Sequence, residues 1–208
     1  MKEIIVKHPL INHKMSILRD VKTGTKEFRE LMNELAMLMT YEAMRDAKTT
    51  EVKVVTPMEE TKGEVINENE YAFVPILRAG IGLVDGVLRI LPNAKIGHIG
   101  MYRNEETLEP VSYYFKVPSN IENRTVFLLD PMLATGGSAA SSITELKKNG
   151  AKKIIFLCIV ATREGIKRVQ TDHPDVQIYS AALDRGLNEI GYIVPGLGDA
   201  GDRIFGTK

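Results

Sequence analysis

Asp130-Pro131-Met132-Leu133-Ala134-Thr135-Gly136-Gly137-Ser138 sets one carboxylate beside a turn of hydroxyls and glycines, directly after the apolar run Val126 to Leu129. Such a turn, followed by a helix, gathers free backbone N–H groups and the positive end of the helix dipole at one spot, which suits a phosphate. Thr135 and Ser138 can add hydroxyl donors, and Gly136 and Gly137 let the backbone close around an anion without a Cβ clash. Asp130 would repel that phosphate, so its place fits sugar hydroxyls or a magnesium shell, and the ligand implied is a sugar phosphate. Arg78 stands between the apolar stretch Tyr71 to Leu77 and Ala79-Gly-Ile-Gly82. A cation at a helix start opposes the dipole. A bound anion resolves that conflict, and an ion pair with Asp85 is the structural alternative.

A third segment is Gly196-Leu-Gly-Asp-Ala-Gly201. It meets the spacing of the dinucleotide fingerprint, but the seven residues after Gly201 are too few for the helix and strand that fingerprint needs. Asp199 and Asp202 also suit turns and helix caps, as Asp beside Gly commonly does. Asp184-Arg185-Gly186-Leu187-Asn188 opens a loop that could touch a ligand or simply turn. His8, His13, His98 and His173 are scattered without metal-ligand spacing.

These residues need a scaffold. Tyr71–Leu77, Lys95–Met101, Val126–Asp130, Ile154–Val160 and Gln177–Ala182 read as strands, with Pro75 an irregularity in the first. Helices are expected over 81–91, 139–149 and near 163–170, and this alternation argues for a largely parallel sheet with helices on both faces. Ligands of such sheets bind at the carboxyl ends of strands, where Arg78 and Asp130 both fall. Before this core, residues 26–45 form an amphipathic helix with Phe28, Leu31, Met32, Leu35 and Met39 on one stripe. Leu38, Met37 and Met44 widen that stripe, which favours a homo-oligomer. Residues 102–115, with Arg103, Glu105, Glu106, Glu109 and Pro110, read as a polar hairpin or arm over the sheet edge.

At 208 residues the chain can bury one good core, and 44% apolar with 26% charged residues is ordinary for a soluble globular enzyme. Lys plus Arg and Asp plus Glu are both 27, so no basic excess points to nucleic acid. No run is long enough for a signal peptide or membrane span. The lone Cys158 reads as a buried strand residue, and a cytoplasmic setting fits.

In three motifs the chain resembles the type I phosphoribosyltransferases, and most closely their uracil phosphoribosyltransferase branch. They are Pro75-Ile-Leu-Arg-Ala-Gly80, Asp130 to Ser138, and Tyr192-Ile-Val-Pro-Gly-Leu-Gly-Asp-Ala-Gly-Asp202, in the family's order. The resemblance covers essentially all 208 residues. It implies an α/β fold, a mostly parallel sheet flanked by helices, with a β-arm (102–115) and a base-binding hood from the terminal segments (loop 191–202), all in a single domain over 1–208. The implied reaction passes the 5-phosphoribosyl group of 5-phosphoribosyl 1-diphosphate to uracil, giving uridine monophosphate and diphosphate. Arg78, Asp130 and Asp199 are the implied catalytic residues. The donor would lie on Asp130, Pro131, Met132, Leu133 and the turn Ala134 to Ser138, with Arg78 and Arg103 on its diphosphate and Asp199 facing it. Backbone groups at Ile193, Gly198 and Ala200 would hold uracil. Magnesium is expected, bound mainly through the donor. Many members carry two adjacent acids where this chain has Asp130-Pro131. Guanosine triphosphate activates some relatives, and the implied assembly is a dimer or tetramer. Two other readings share the fold: an RNA-binding regulator of a pyrimidine operon, and transfer to a purine or orotate.

Overall fold

Strand residues 125–129 and 153–162 are apolar almost throughout, as strands covered on both faces must be. The computed structural model describes residues 3–103 and 110–207. In chain order they form β1 (Glu3–Ile5), α1 (Pro9–Arg19), α2 (Thr25–Ala43), β2 (Thr50–Val55), β3 (Glu60–Val65), β4 (Tyr71–Leu77), α3 (Val84–Ile90), β5 (Lys95–Ile96), β6 (His98–Arg103) and β7 (Pro110–Lys116). There follow β8 (Thr125–Leu129), β9 (Met132–Leu133), α4 (Gly137–Lys148), β10 (Lys153–Thr162), α5 (Arg163–Asp172), β11 (Gln177–Asp184), β12 (Gly186–Leu187), β13 (Ile193–Val194) and α6 (Ala200–Phe205).

The main sheet runs β1-β11-β10-β8-β4-β6-β7, parallel except for the edge hairpin β6–β7. Successive residues of β8 point to opposite faces. Phe127 and Leu129 join a core with α1, α2 and α6, through Leu18, Phe28, Met32, Leu35 and Ile204. Val126 and Leu128 join the other, with Ile143 and Leu146 of α4 and Ile166 and Val169 of α5. Each fully buried side chain of this size contributes about 1.5–3 kcal/mol. Cys158 sits wholly buried in the second core, where burial pushes its thiol up to about 12. Among the described residues no helix is long and apolar enough to cross a membrane.

Several expectations shift in detail. The helix expected over 81–91 divides into a 3₁₀ turn, Ala79–Leu83, and α3. The turn is pressed on the sheet: a Cβ on Gly80 would lie 2.5 Å from the Leu129 carbonyl oxygen. The strand expected over 95–101 breaks at Gly97, so β5 and β6 pair separately with β4. That break accommodates Pro75 in an unbroken central strand. Its pairing with β8 ends at Pro75↔Leu129, whereas the β6 ladder starts at Ile76↔Ile99. Asp130 lies just beyond β8 rather than in it. The predicted stripe of α2 is fully seated, and the apolar positions beside it leave no free face: Met44 is buried, Leu38 packs on the core and Met37 is half-buried. That ground for an oligomer is therefore withdrawn. Residues 50–65, unassigned by periodicity, form the separate hairpin β2–β3.

Candidate active site at the carboxyl edge of the sheet

β4 and β8 are neighbours, yet the chain leaves β4 towards β6 on one side and reaches β8 on the other. This reversal makes the gap beyond their carboxyl ends a topological switch point, the place where open α/β sheets bind ligands. Arg78 follows β4 and Asp130 follows β8, and the Gly80 contact with Leu129 brings the two turns together.

The turn after β8 encloses a cavity of ≈ 80 Å³ lined by Asp130, Met132, Leu133, Ala134, Thr135, Gly136, Gly137, Ser138 and Ala139. Gly136 is the N-cap of α4 at φ +81°, a conformation glycine takes freely, and it brings no side chain to cap the first turn. The first-turn N–H groups therefore face the cavity with the dipole behind them. Thr135 Oγ1 lies 3.5 Å from the Gly137 nitrogen. Pro131 is buried beneath, its carbonyl accepting from Ile159 and Val160 at 3.0 Å each.

Asp130 accepts from the Met132 N–H at 3.3 Å. Burial pushes its carboxyl up to about 7, the Met132 bond pulling the other way. A carboxyl so poised would bind a cation or sugar hydroxyls more readily than sit charged and unpartnered. The residues present thus fit a magnesium ion that arrives on its ligand and keeps most of its shell as water. Among the described residues no three His, Cys, Asp or Glu side chains cluster as a metal cage.

Opposite these turns stands the carboxy-terminal segment. Asp199 caps α6, accepting from the Asp202 N–H at 2.9 Å, so the capping role seen in the sequence is real. Its other oxygen lies 3.4 Å from the Tyr192 hydroxyl. Arg78, 60% exposed, approaches Asp202 at 3.8 Å and lies 5.8 Å from the Phe205 ring centroid. Its acid neighbour is therefore Asp202 from the carboxy-terminal segment, not Asp85. Ile193 and Ala200 are buried and Gly198 is exposed. Gly196 and Gly198 both take positive φ, +63° and +79°, which bends this segment sharply. The structure thus gathers Arg78, Asp130, the 131–138 turn, Ile193 and 198–202 around one edge. Arg103 belongs to β6, but its side chain and residues 104–109 lie outside the described residues. Asp184 turns inward, where it is buried against Arg19.

Two supporting residues carried no motif. Thr162 Oγ1 donates to the Ala134 carbonyl at 2.6 Å and accepts from the Gly165 N–H at 3.0 Å. A Cβ on Gly165 would lie 2.5 Å from the Ala134 oxygen. α5 is therefore the floor under the glycine turn that follows β8. A Thr-x-x-Gly at a strand–helix junction was the available signal, though it reads first as an ordinary N-cap.

The switch-point geometry and the glycine turn define the class: the fold is that of the type I phosphoribosyltransferases. It is similar to adenine phosphoribosyl transferase from Trypanosoma brucei, with a TM-score of 0.60 at 13% identity, covering 91% of this chain and 86% of that one. A protein from Aquifex aeolicus is far more similar, with a TM-score of 0.93 and 40% identity over 98% of both chains. The uracil phosphoribosyltransferase of Bacillus licheniformis is 58% identical over 207 residues, 100% of this chain and 99% of the relative. The uracil phosphoribosyltransferase family model matches residues 5–207, and the chain belongs to that family.

Proposed function

We propose that this chain transfers the 5-phosphoribosyl group of 5-phosphoribosyl 1-diphosphate to N1 of uracil, releasing diphosphate and forming uridine monophosphate. The observation that carries the reading is the meeting of the glycine turn after β8 with the 193–202 segment across Arg78. A phosphate cradle, a cation and the sharply bent 193–202 segment then meet at the switch point.

In this reading the 5′-phosphate rests on the N–H groups of Ala134 to Ser138, and Asp130 orients the ribose hydroxyls. The bond from C1′ to the diphosphate breaks, the bond from C1′ to N1 forms, and the N1 proton leaves. Charge grows on the departing diphosphate, where Arg78, with Arg103 from the arm, stabilises it. A bound magnesium ion would supply further charge neutralisation on the diphosphate. Asp199 faces the donor, and its carboxylate, the donor phosphate or water takes the N1 proton.

Backbone groups at Ile193, Gly198 and Ala200 select the base. Uracil offers acceptors at O2 and O4 and a donor at N3, whereas cytosine reverses the pattern at N3 and position 4. Each mismatch leaves a buried polar group unpaired, at about 1–3 kcal/mol. The regulator reading has no support beside relatives that carry the enzyme's name.

One further feature supports a homo-oligomer. The β2–β3 hairpin pairs with no other strand among the described residues and leaves Val55 73% and Met58 92% exposed. The buried free thiol of Cys158 fits a reducing cytoplasm.

The test is incubation with donor, magnesium and each free base, followed by assay of diphosphate release. Release with uracil and not with cytosine, adenine or orotate is expected. Release driven equally by a purine would sink the reading. The same assay with and without guanosine triphosphate tests the effector expected from the family.

A further inference from the structure

One ion pair holds both backbone polar groups of a single residue in the base segment. The Gly196 N–H donates to Asp184 Oδ2 at 2.8 Å, and the Gly196 carbonyl accepts from Arg19 Nη1 at 2.6 Å. Arg19 also forks onto the Asp184 carboxylate, Nη1 to Oδ2 at 2.8 Å and Nη2 to Oδ1 at 2.7 Å. Asp184 ends β11 and Arg19 stands in the last turn of α1, with side chains 6% and 24% exposed. The next carbonyl, that of Leu197, accepts from Arg203 Nη1 at 2.9 Å. The other nitrogen, Nη2, donates to the backbone carbonyls of Asp20 at 2.7 Å and Thr23 at 3.3 Å, just past α1. The Arg203 guanidinium lies 4.3 Å from the Phe28 ring centroid. Two consecutive carbonyls of the segment are thus tied by two arginines to the end of α1.

Stability alone does not call for this arrangement. A buried ion pair gains little over well-packed apolar residues, because desolvation offsets the attraction. What apolar residues cannot do is fix the two peptide planes on either side of one Cα, one through its N–H and the other through its C=O. The held residue sits where orientation matters. Gly196 turns at φ +63°, so tightly that a Cβ there would lie 2.1 Å from the Ile193 oxygen. A rotation at Gly196 would therefore move Ile193 on one side and Gly198 on the other.

We propose that Arg19 and Asp184 are positioning residues for base selection: by fixing the peptide planes on both sides of Gly196 they hold the backbone groups of Ile193, Gly198 and Ala200 in register with the edge of uracil. The inference rests on the assignment of this segment to the base.

Steady-state kinetics of Arg19→Met and Asp184→Asn test it. The KM for uracil is expected to rise about 10- to 100-fold, the loss of one or two well-aligned hydrogen bonds. The donor KM should stay within about twofold, and the preference for uracil over cytosine should fall. Arg19→Lys, which keeps the charge but not the fork, should restore only part of the loss. Folded variants with unchanged uracil KM and preference would overturn the clamp while wild-type turnover of uracil leaves the segment's assignment standing. So would an equal rise in both KM values, the mark of general loosening. A wild-type protein that ignores uracil but uses another base removes both. Where a variant does not fold, hydrogen exchange of the wild-type protein with and without uridine monophosphate decides. Slowing at 193–200 together with 17–23 supports the clamp, and slowing confined to 193–200 refutes it.

Discussion

Asp130 lies half-buried against the phosphate turn, and its surroundings raise the carboxyl from 3.8 to about 7. The sign of the pH effect follows. Between these two values the folded state keeps a proton that the unfolded state has lost. Stability linked to this group is therefore full below the lower value and lost as pH rises through the higher one. Asp130→Asn removes the titration, so unliganded variant and wild type should match near pH 4 and diverge towards pH 8, the variant becoming more stable. The gap should be on the order of 1–3 kcal/mol, since water at the exposed edge screens part of the desolvation. Thermal unfolding across that range checks it, and a constant difference at all pH values would count against the assignment. The same substitution should weaken donor binding in calorimetry, because an amide cannot bind a cation-bearing donor or accept from ribose hydroxyls as a carboxylate does. Arg78 makes a complementary case. It is mostly exposed and 3.8 Å from the Asp202 carboxylate, so it gives the fold little. Arg78→Ala should cut kcat about 10²–10³-fold while leaving uracil binding nearly unchanged, as removal of a transition-state donor does.

α5 acts on the site without touching it through any reactive group. Its N-cap hydroxyl on Thr162 holds Ala134, and Gly165 lets the turn lie close, a Cβ there falling 2.5 Å and 2.7 Å from the Ala134 and Leu133 oxygens. Gly165→Ala must then push the phosphate turn away or unseat the helix. A cost of about 1–3 kcal/mol in unfolding and a roughly tenfold higher donor KM are expected. An unchanged donor KM beside lowered stability would assign Gly165 to packing alone. Such supports were hidden from the sequence because they join distant segments, as do Arg19 and Asp184. The legible elements were those whose burial imposes a period. α2 buries Phe28, Leu31, Met32, Leu35 and Met39, and β8 and β10 are apolar on both faces. The phosphate turn was legible because hydroxyls and glycines cluster where a strand gives way to a helix. The helix before α3 was misread as uniform because its apolar spacing says nothing of the pressure from Leu129 that tightens it. The β2–β3 hairpin gave no period at all, having no buried face in one copy of the chain.

That hairpin decides what can be said of the whole molecule. Each of its strands has six residues, about 20 Å long at 3.3–3.4 Å per residue, and they are joined by full antiparallel pairing. A two-stranded hairpin is marginal in water unless something covers a face. Cross-strand pairs of Lys53 with Glu60 at 2.7 Å and Lys62 with Glu51 at 2.9 Å add little, being exposed. Val54, Val55, Met58 and Val65 are left in solvent. We propose a second copy as that partner, since the formal charge of zero sets up no repulsion between like chains. The variant with both Val55→Glu and Met58→Glu would place like charges in that contact. It should shift the protein towards monomer, with dissociation at least about tenfold easier, while the far-ultraviolet spectrum and the parallel sheet stay intact. Sedimentation equilibrium at several loading concentrations reads the change directly. Wild-type protein that sediments as one chain throughout, or a variant that associates as tightly as wild type, would rule out the hairpin as the contact. The expected outcome instead makes the hairpin's stability concentration-dependent, because its covering face is supplied by mass action.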